Sequence, residues 1–169
     1  MFIENALKIK NDSWRYVVGC FIIFIATQIG SIPFAVAIFE KSSPEMMAKL
    51  DPSSMMTVLK NSNLTLFYVL LPYLAGMIGI LVVSKYIHEQ NLLSLTTSRK
   101  KLDYSKIFHS FSIAISIVFL STLFSYIFFS DDYIINFEFE KFVLLFFISL
   151  IFLPIQTSWE EYVFRGYLM

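Results

Sequence analysis

The stretch 142–169, "FVLLFFISLIFLPIQTSWEEYVFRGYLM", decides how this chain is read. Its first part, Phe142 to Trp159, carries no charge; then Glu160, Glu161 and Arg165 follow among further apolar residues. A bilayer core about 30 Å thick needs about 20 predominantly apolar residues of helix. The run therefore has the length and character of a membrane-spanning helix. The three charged residues lie where such a helix would leave the apolar layer, or just before it does.

The same pattern occurs three more times. No charged residue lies between Arg15 and Glu40, between Lys60 and Lys85, or between Lys106 and Asp131. These spacings predict helices at 14–39, 64–87, 106–129 and 141–169. In hydrocarbon every backbone polar group must be satisfied internally, so an isolated apolar run of this length has to be helical. The expected fold is all-α, a polytopic transmembrane helical bundle of about four helices. Composition agrees: the chain is 57% hydrophobic and 15% charged, with 19 phenylalanines and a mean hydropathy of +0.68. A soluble domain is nearer 45–50% apolar and about 25% charged. The formal net charge is zero, so no basic field favours a nucleic-acid partner. The expected partners from composition are membrane lipids. The first apolar run is too long for the 7–15-residue core of a cleavable signal peptide. Cys20 stands alone, reads as a small buried hydrophobe, and forms no metal-type pattern with histidine.

Basic residues in short connections set orientation. Lys8, Lys10 and Arg15, together with Lys85, Arg99, Lys100, Lys101 and Lys106, fall on one side. Lys41, Lys49, Lys60 and Lys141 fall on the other, offset by Asp131, Asp132, Glu138 and Glu140. The excess places the chain in the cell membrane with a cytoplasmic N-terminus, and the fourth helix runs inward. In the 40–63 connection, "SSPE" at Ser42–Glu45 and "DPSS" at Asp51–Ser54 put a capping residue ahead of proline, predicting short interfacial helices. Met46, Met47, Met55 and Met56 would lie against the membrane; packing, rather than metal binding, is the expected use of methionine. Gly30 and Pro33 in the first helix, and Pro72, Gly76 and Gly79 in the second, mark kinks or close helix contacts. Ser112, Ser116, Ser121 and Ser125 predict a helix-packing face on the third. His88 and His109 read as interfacial polar residues next to basic connections.

The spacing of the charges on the fourth helix is informative. Ionisable groups within a span are costly, and usually face protein or a water-filled cavity. Glu161 and Arg165 are i and i+4, acid first, the favourable order for a pair on one face. Glu160 points about 100° away from Glu161 on a helix and cannot share that pairing as easily. One carboxylate is held by arginine; the other is left beside it in apolar, partly wet surroundings. Burial and a like-charged neighbour both raise the pKa of a carboxyl group, which suits Glu160 to general acid–base chemistry. Read structurally, the same charges form an intramembrane salt bridge that fastens the helix to its neighbours.

"EEYVFRG", Glu160 to Gly166, resembles the first signature motif, E-E-x-x-x-R, of the CPBP intramembrane proteases. That family comprises the type II CAAX prenyl endopeptidases and the bacteriocin-processing proteins, and is also called the Abi family. Proline upstream, an aromatic before the arginine, and Gly-aromatic-Leu after it match the motif's usual setting. The resemblance covers 142–169 only. It divides the chain into an N-terminal membrane region, 1–139, with three transmembrane helices, and the start of the protease core, 140–169. It implies peptide-bond hydrolysis in a peptide or membrane-protein substrate, with Glu160 activating water alongside a histidine, Glu161 supporting or orienting it, and Arg165 pairing with an acid to hold the helix. Members have been described both as metalloproteases and as metal-free glutamate proteases, so the implied cofactor is either none or a divalent metal such as zinc. No H-E-x-x-H occurs on this helix.

The family's later motifs, F-x-x-x-H and H-x-x-x-[ND], do not follow Glu160 in this sequence. "FHSFS" at Phe108–Ser112 is no substitute, because its phenylalanine adjoins His109 and it precedes the acids. The chain is therefore expected to be an N-terminal fragment or truncated reading frame, bacterial by composition and inactive alone. Two other readings use the same residues. A non-catalytic membrane scaffold or bacteriocin-immunity protein of the same fold would lack the later histidines in the complete gene. A transporter or channel subunit, with Glu160 as an ion site, would show internal repeats or broken paired helices, and the sequence has none.

Overall fold

The computed structural model describes residues 12–42, 59, 61–90, 93, 96–97, 101–134 and 136–167. Helix α1 is Ser13–Lys41 and α2 is Ser62–Val82, which continues into a π-helical turn, Val83–Ile87. Helix α3 is Tyr104–Phe128, followed by a 3-10 turn, Ser130–Asp132. Helix α4 is Phe139–Glu161 and continues into a second π-helical turn, Tyr162–Tyr167. No strand occurs among the described residues. The fold is all-α, and four helices are long and apolar enough to cross a membrane, as a multi-pass membrane protein requires. The short helices expected at Ser42–Glu45 and Asp51–Ser54, with their four methionines, lie outside the described residues, apart from Ser42 itself.

Local chemistry explains where the helices start. The Asn61 side chain accepts hydrogen bonds from the backbone amides of Asn63 (3.1 Å) and Leu64 (3.2 Å), capping α2. Asp103 accepts from the amide of Lys106 (3.3 Å) at the start of α3. Each cap satisfies amides that the helix itself cannot. Ahead of α1 and α4 the acids bind cations instead: Asp12 pairs with Arg15 at 2.9 Å, and Glu138 with Lys141 at 2.7 Å. The helices continue through Pro33, Pro72 and Pro154.

Helix α2 is the centre of the packing, with α1 and α4 both against it. The α1–α2 contact depends on bare backbone. A Cβ placed on Gly30 would stand 2.7 Å from Cβ of Ala75 and 2.8 Å from Cα of Pro72. One on Gly79 would stand 3.0 Å from Cβ of Ala26. Lipid tails are as apolar as the side chains, so in a bilayer such close approach, and the dispersion contact it gives, drives association. The expectation of close packing at Gly30 and Gly79 is met.

Helix α4 meets α2 through aromatic rings. Phe152 packs edge-on to Phe67, and Trp159 edge-on to Tyr73, each with ring centroids 5.3 Å apart. The Trp159 indole occupies the space above Gly76, where a Cβ would come within 2.3 Å of Nε1. At the other end, Asn63 Nδ2 donates to the Lys141 carbonyl at 2.8 Å. Asn63 near Lys141, and Gly76 near Trp159, make α2 and α4 parallel. Gly30 near Pro72, and Gly19 near Val83, make α1 antiparallel to α2. Helix α3 thus carries the chain back between two parallel spans.

Helix α3 has no buried residue. The packing face expected from its serines is not used among the described residues. Ser112, Ser116 and Ser121 instead donate to carbonyls of their own helix, those of Phe108, Ser112 and Val118, at 2.8–2.9 Å. A hydroxyl in apolar surroundings finds its nearest acceptor one turn back, which leaves it no demand for a neighbouring helix.

Candidate functional site

The acids lie at the junction between the α-helical and π-helical parts of α4. Trp159 and Glu160 belong to the last α-helical turn, and the wider turn begins at Tyr162. The inward stripe of α4 runs Ile148, Phe152, Trp159, Val163 and Tyr167. In a regular α-helix a spacing of four residues drifts by about 40° at each step. The π turn absorbs that drift, so Tyr167 still points inward two steps after Trp159. Single π turns within α-helices frequently mark functional sites.

The two carboxylates diverge, as their 100° separation on a helix implies. Arg165 Nη1 lies 3.3 Å from Glu161 Oε2, with the two side chains 73% and 60% exposed. Glu160 Oε1 accepts instead from Gln156 Nε2 at 3.3 Å, in a half-buried position. The Glu161–Arg165 pairing is therefore present as expected. Its exposure is higher than expected for charges within a span, because the described residues leave this face of α4 uncovered. An open cleft of about 420 Å³ lies there, lined by Glu161, Arg165, Thr157, Ser158 and Tyr162. Thr96 closes one side, its hydroxyl 2.9 Å from the Tyr162 hydroxyl.

His88 stands at the end of α2, immediately after its π turn, but is buried among protein groups at 2% exposure, a packing that the sequence reading did not contain. Its Nε2 lies 3.0 Å from the Tyr167 hydroxyl, and its ring lies 4.6 Å from that of Tyr16. The Tyr167 hydroxyl also stands 3.4 Å from the carbonyls of Arg15 and Tyr16. A Cβ on Gly19 would lie 1.8 Å from that hydroxyl; the glycine is the notch into which it fits. Arg15 donates through Nη1 to the carbonyl of Ile87. His109, by contrast, is exposed on α3, with Nδ1 2.8 Å from the Ser105 carbonyl.

A divalent metal needs several ligands brought together, typically His, Cys, Asp or Glu. Among the described residues no three such side chains do so. Glu160 bonds Gln156, Glu161 bonds Arg165, and neither histidine bonds either acid. These residues do not by themselves fit a zinc site. The two adjacent carboxylates thus point apart, Glu161 paired with a guanidinium and Glu160 hydrogen-bonded to a side-chain amide.

The chain resembles a protein of Bacillus subtilis (strain 168) described as "Uncharacterized protein YyaK", with 25% identity over 163 residues. The match takes in 95% of this chain and 53% of that protein, so the chain spans about half the length of the curated relative it matches. No protein-family model matches the chain, and no solved structure matches it.

Sequence reasoning missed Gln156, Gly19 and Tyr167. The Gln156–Glu160 bond was available from i, i+4 spacing. Tyr167 and Gly19 are 148 positions apart, and nothing local connects them.

Proposed function

We propose that this chain carries the acid-bearing part of an intramembrane endopeptidase of the CPBP type, in the cell membrane with a cytoplasmic N-terminus. The observation that carries the proposal is the split between adjacent carboxylates: Glu161 bound to Arg165, and Glu160 hydrogen-bonded to Gln156. In this reading Glu160 accepts a proton from water as the water attacks the peptide carbonyl carbon. The C–N bond then breaks, and the proton passes to the leaving amine. Arg165 compensates the charge of Glu161, so Glu160 is not left beside an uncompensated like charge. Gln156 fixes the rotamer of Glu160. The two histidines lie elsewhere: Nε2 of His88 meets the Tyr167 hydroxyl, and His109 sits on exposed α3. The substrate is a peptide or membrane protein reaching the open face of α4.

The experiment compares the protein with its Glu160→Gln variant, using a quenched-fluorescence peptide library in phospholipid vesicles. Losing a general base costs roughly 10²–10⁴-fold in rate, and a loss in that range is the expected result. Full cleavage by Glu160→Gln overturns the reading, as does the absence of cleavage by the parent protein.

A further inference from the structure

The end of the bundle next to the acids contains an arrangement that the proposed chemistry does not use. Both π-helical turns finish there: that of α2 leads directly into His88, and that of α4 ends at Tyr167. The two side chains meet at 3.0 Å in a buried position. The ring of Tyr167 is part of the buried cluster with Ile23, Ile80 and Val83. Its hydroxyl passes between α1 and α2 and reaches the notch at Gly19, close to the carbonyls of Arg15 and Tyr16. Three helices therefore converge on one phenolic oxygen, six residues beyond Glu161.

We infer that Tyr167 is a positioning residue: seated between Gly19 and His88, it clasps the acid-bearing turn of α4 to α1 and α2 and so sets where Glu160 stands. Among the described residues, the hydrogen bond of Glu160 and the ion pair of Glu161 with Arg165 stay within α4. Upstream, Trp159 fixes the helix against Gly76. Downstream, the Tyr167 ring and hydroxyl supply the second point, and two points on opposite sides of Glu160 fix its rotation about the helix axis. A wide π turn is looser than an α turn, so without the second point it can unwind or rotate. The hydroxyl is buried with polar partners around it, and losing a buried partner costs more than its bond alone contributes.

The role in positioning Glu160 rests on the reading of Glu160 as the reacting acid; the clasp itself does not. Two readouts separate them. Cys20, the sole cysteine of the chain, is half-buried and packs against the Tyr167 cluster, so its alkylation by N-ethylmaleimide reports whether the clasp is closed. The protein is compared with Tyr167→Phe, which keeps the ring and removes the hydroxyl, and with Gly19→Ala, which fills the notch. Each single change is expected to speed Cys20 labelling about 3- to 10-fold, the effect of one lost hydrogen bond on an opening equilibrium. The double variant is expected to label more slowly than the product of the two single effects, because removing the hydroxyl relieves part of the clash with Ala at position 19. Labelling rates unchanged in both variants, or strictly multiplicative effects, overturn the clasp. In the endopeptidase assay, Tyr167→Phe is expected to lower kcat about tenfold with KM unchanged, as for the loss of correct placement. Faster labelling with unchanged kcat overturns the positioning role. Faster labelling with no cleavage by the parent protein supports the clasp and defeats the endopeptidase reading instead.

Discussion

At the scale of single residues, the glycines and the acids make opposite demands. Gly76 has to be bare because the Trp159 indole lies in its place. Trp159 Nε1 is buried with no hydrogen-bond partner among the described residues, so the contact with Gly76 rests on shape. Gly76→Ala puts a methyl 2.3 Å from Nε1 and 2.8 Å from the Thr27 hydroxyl oxygen. Overpacking of this kind costs about 1–3 kcal/mol, and a lower thermal midpoint in detergent is the expected measurement. The Glu161–Arg165 pair makes no such demand. With both side chains largely exposed, breaking it by Glu161→Gln is expected to change stability by less than about 1 kcal/mol. A large destabilisation on Glu161→Gln would mean that the pair is a structural lock rather than part of a site.

At the scale of helices, each element has a different reason to stay in place. Helix α2 is capped by Asn61, and its first turn is tied to α4 by Asn63. Asn61→Ala removes the cap, at a cost of about 1 kcal/mol; Asn63→Ala removes the inter-helix bond, where membrane measurements average about 0.6 kcal/mol. The two act on different partners, so their effects on unfolding by denaturing detergent are expected to add. Helix α3 contrasts with this. Its serines bond to their own backbone and none of its residues is buried. Ser112→Ala and Ser116→Ala are therefore expected to leave stability within about 0.5 kcal/mol of the parent. A marked loss would show that α3 is held in the membrane by contacts beyond those described.

At the scale of the whole molecule, α1 antiparallel to α2, and α2 parallel to α4, put the start of α1, the end of α2 and the acid-bearing end of α4 on one side. With the proposed cytoplasmic N-terminus, alkaline phosphatase fused after Tyr133 is expected to be active, and fused after His88 inactive. The reverse pattern would place Glu160 on the outer side. The sequence by itself determined the four spans, the alternation of their direction and the Glu161–Arg165 pair. Charge-free length and i, i+4 spacing are local properties, and the bilayer turns the first into helices with no tertiary contact needed. It also marked Gly30 and Gly79 as points of a kink or of close approach, and the structure shows close approach at both. Only the tertiary structure decided which glycine receives which side chain, that the serines of α3 turn back on their own helix, and that His88 is buried against Tyr167. Each of these depends on residues far apart in the chain, and on two π turns that shift helical phase by an amount no fixed 3.6-residue period contains.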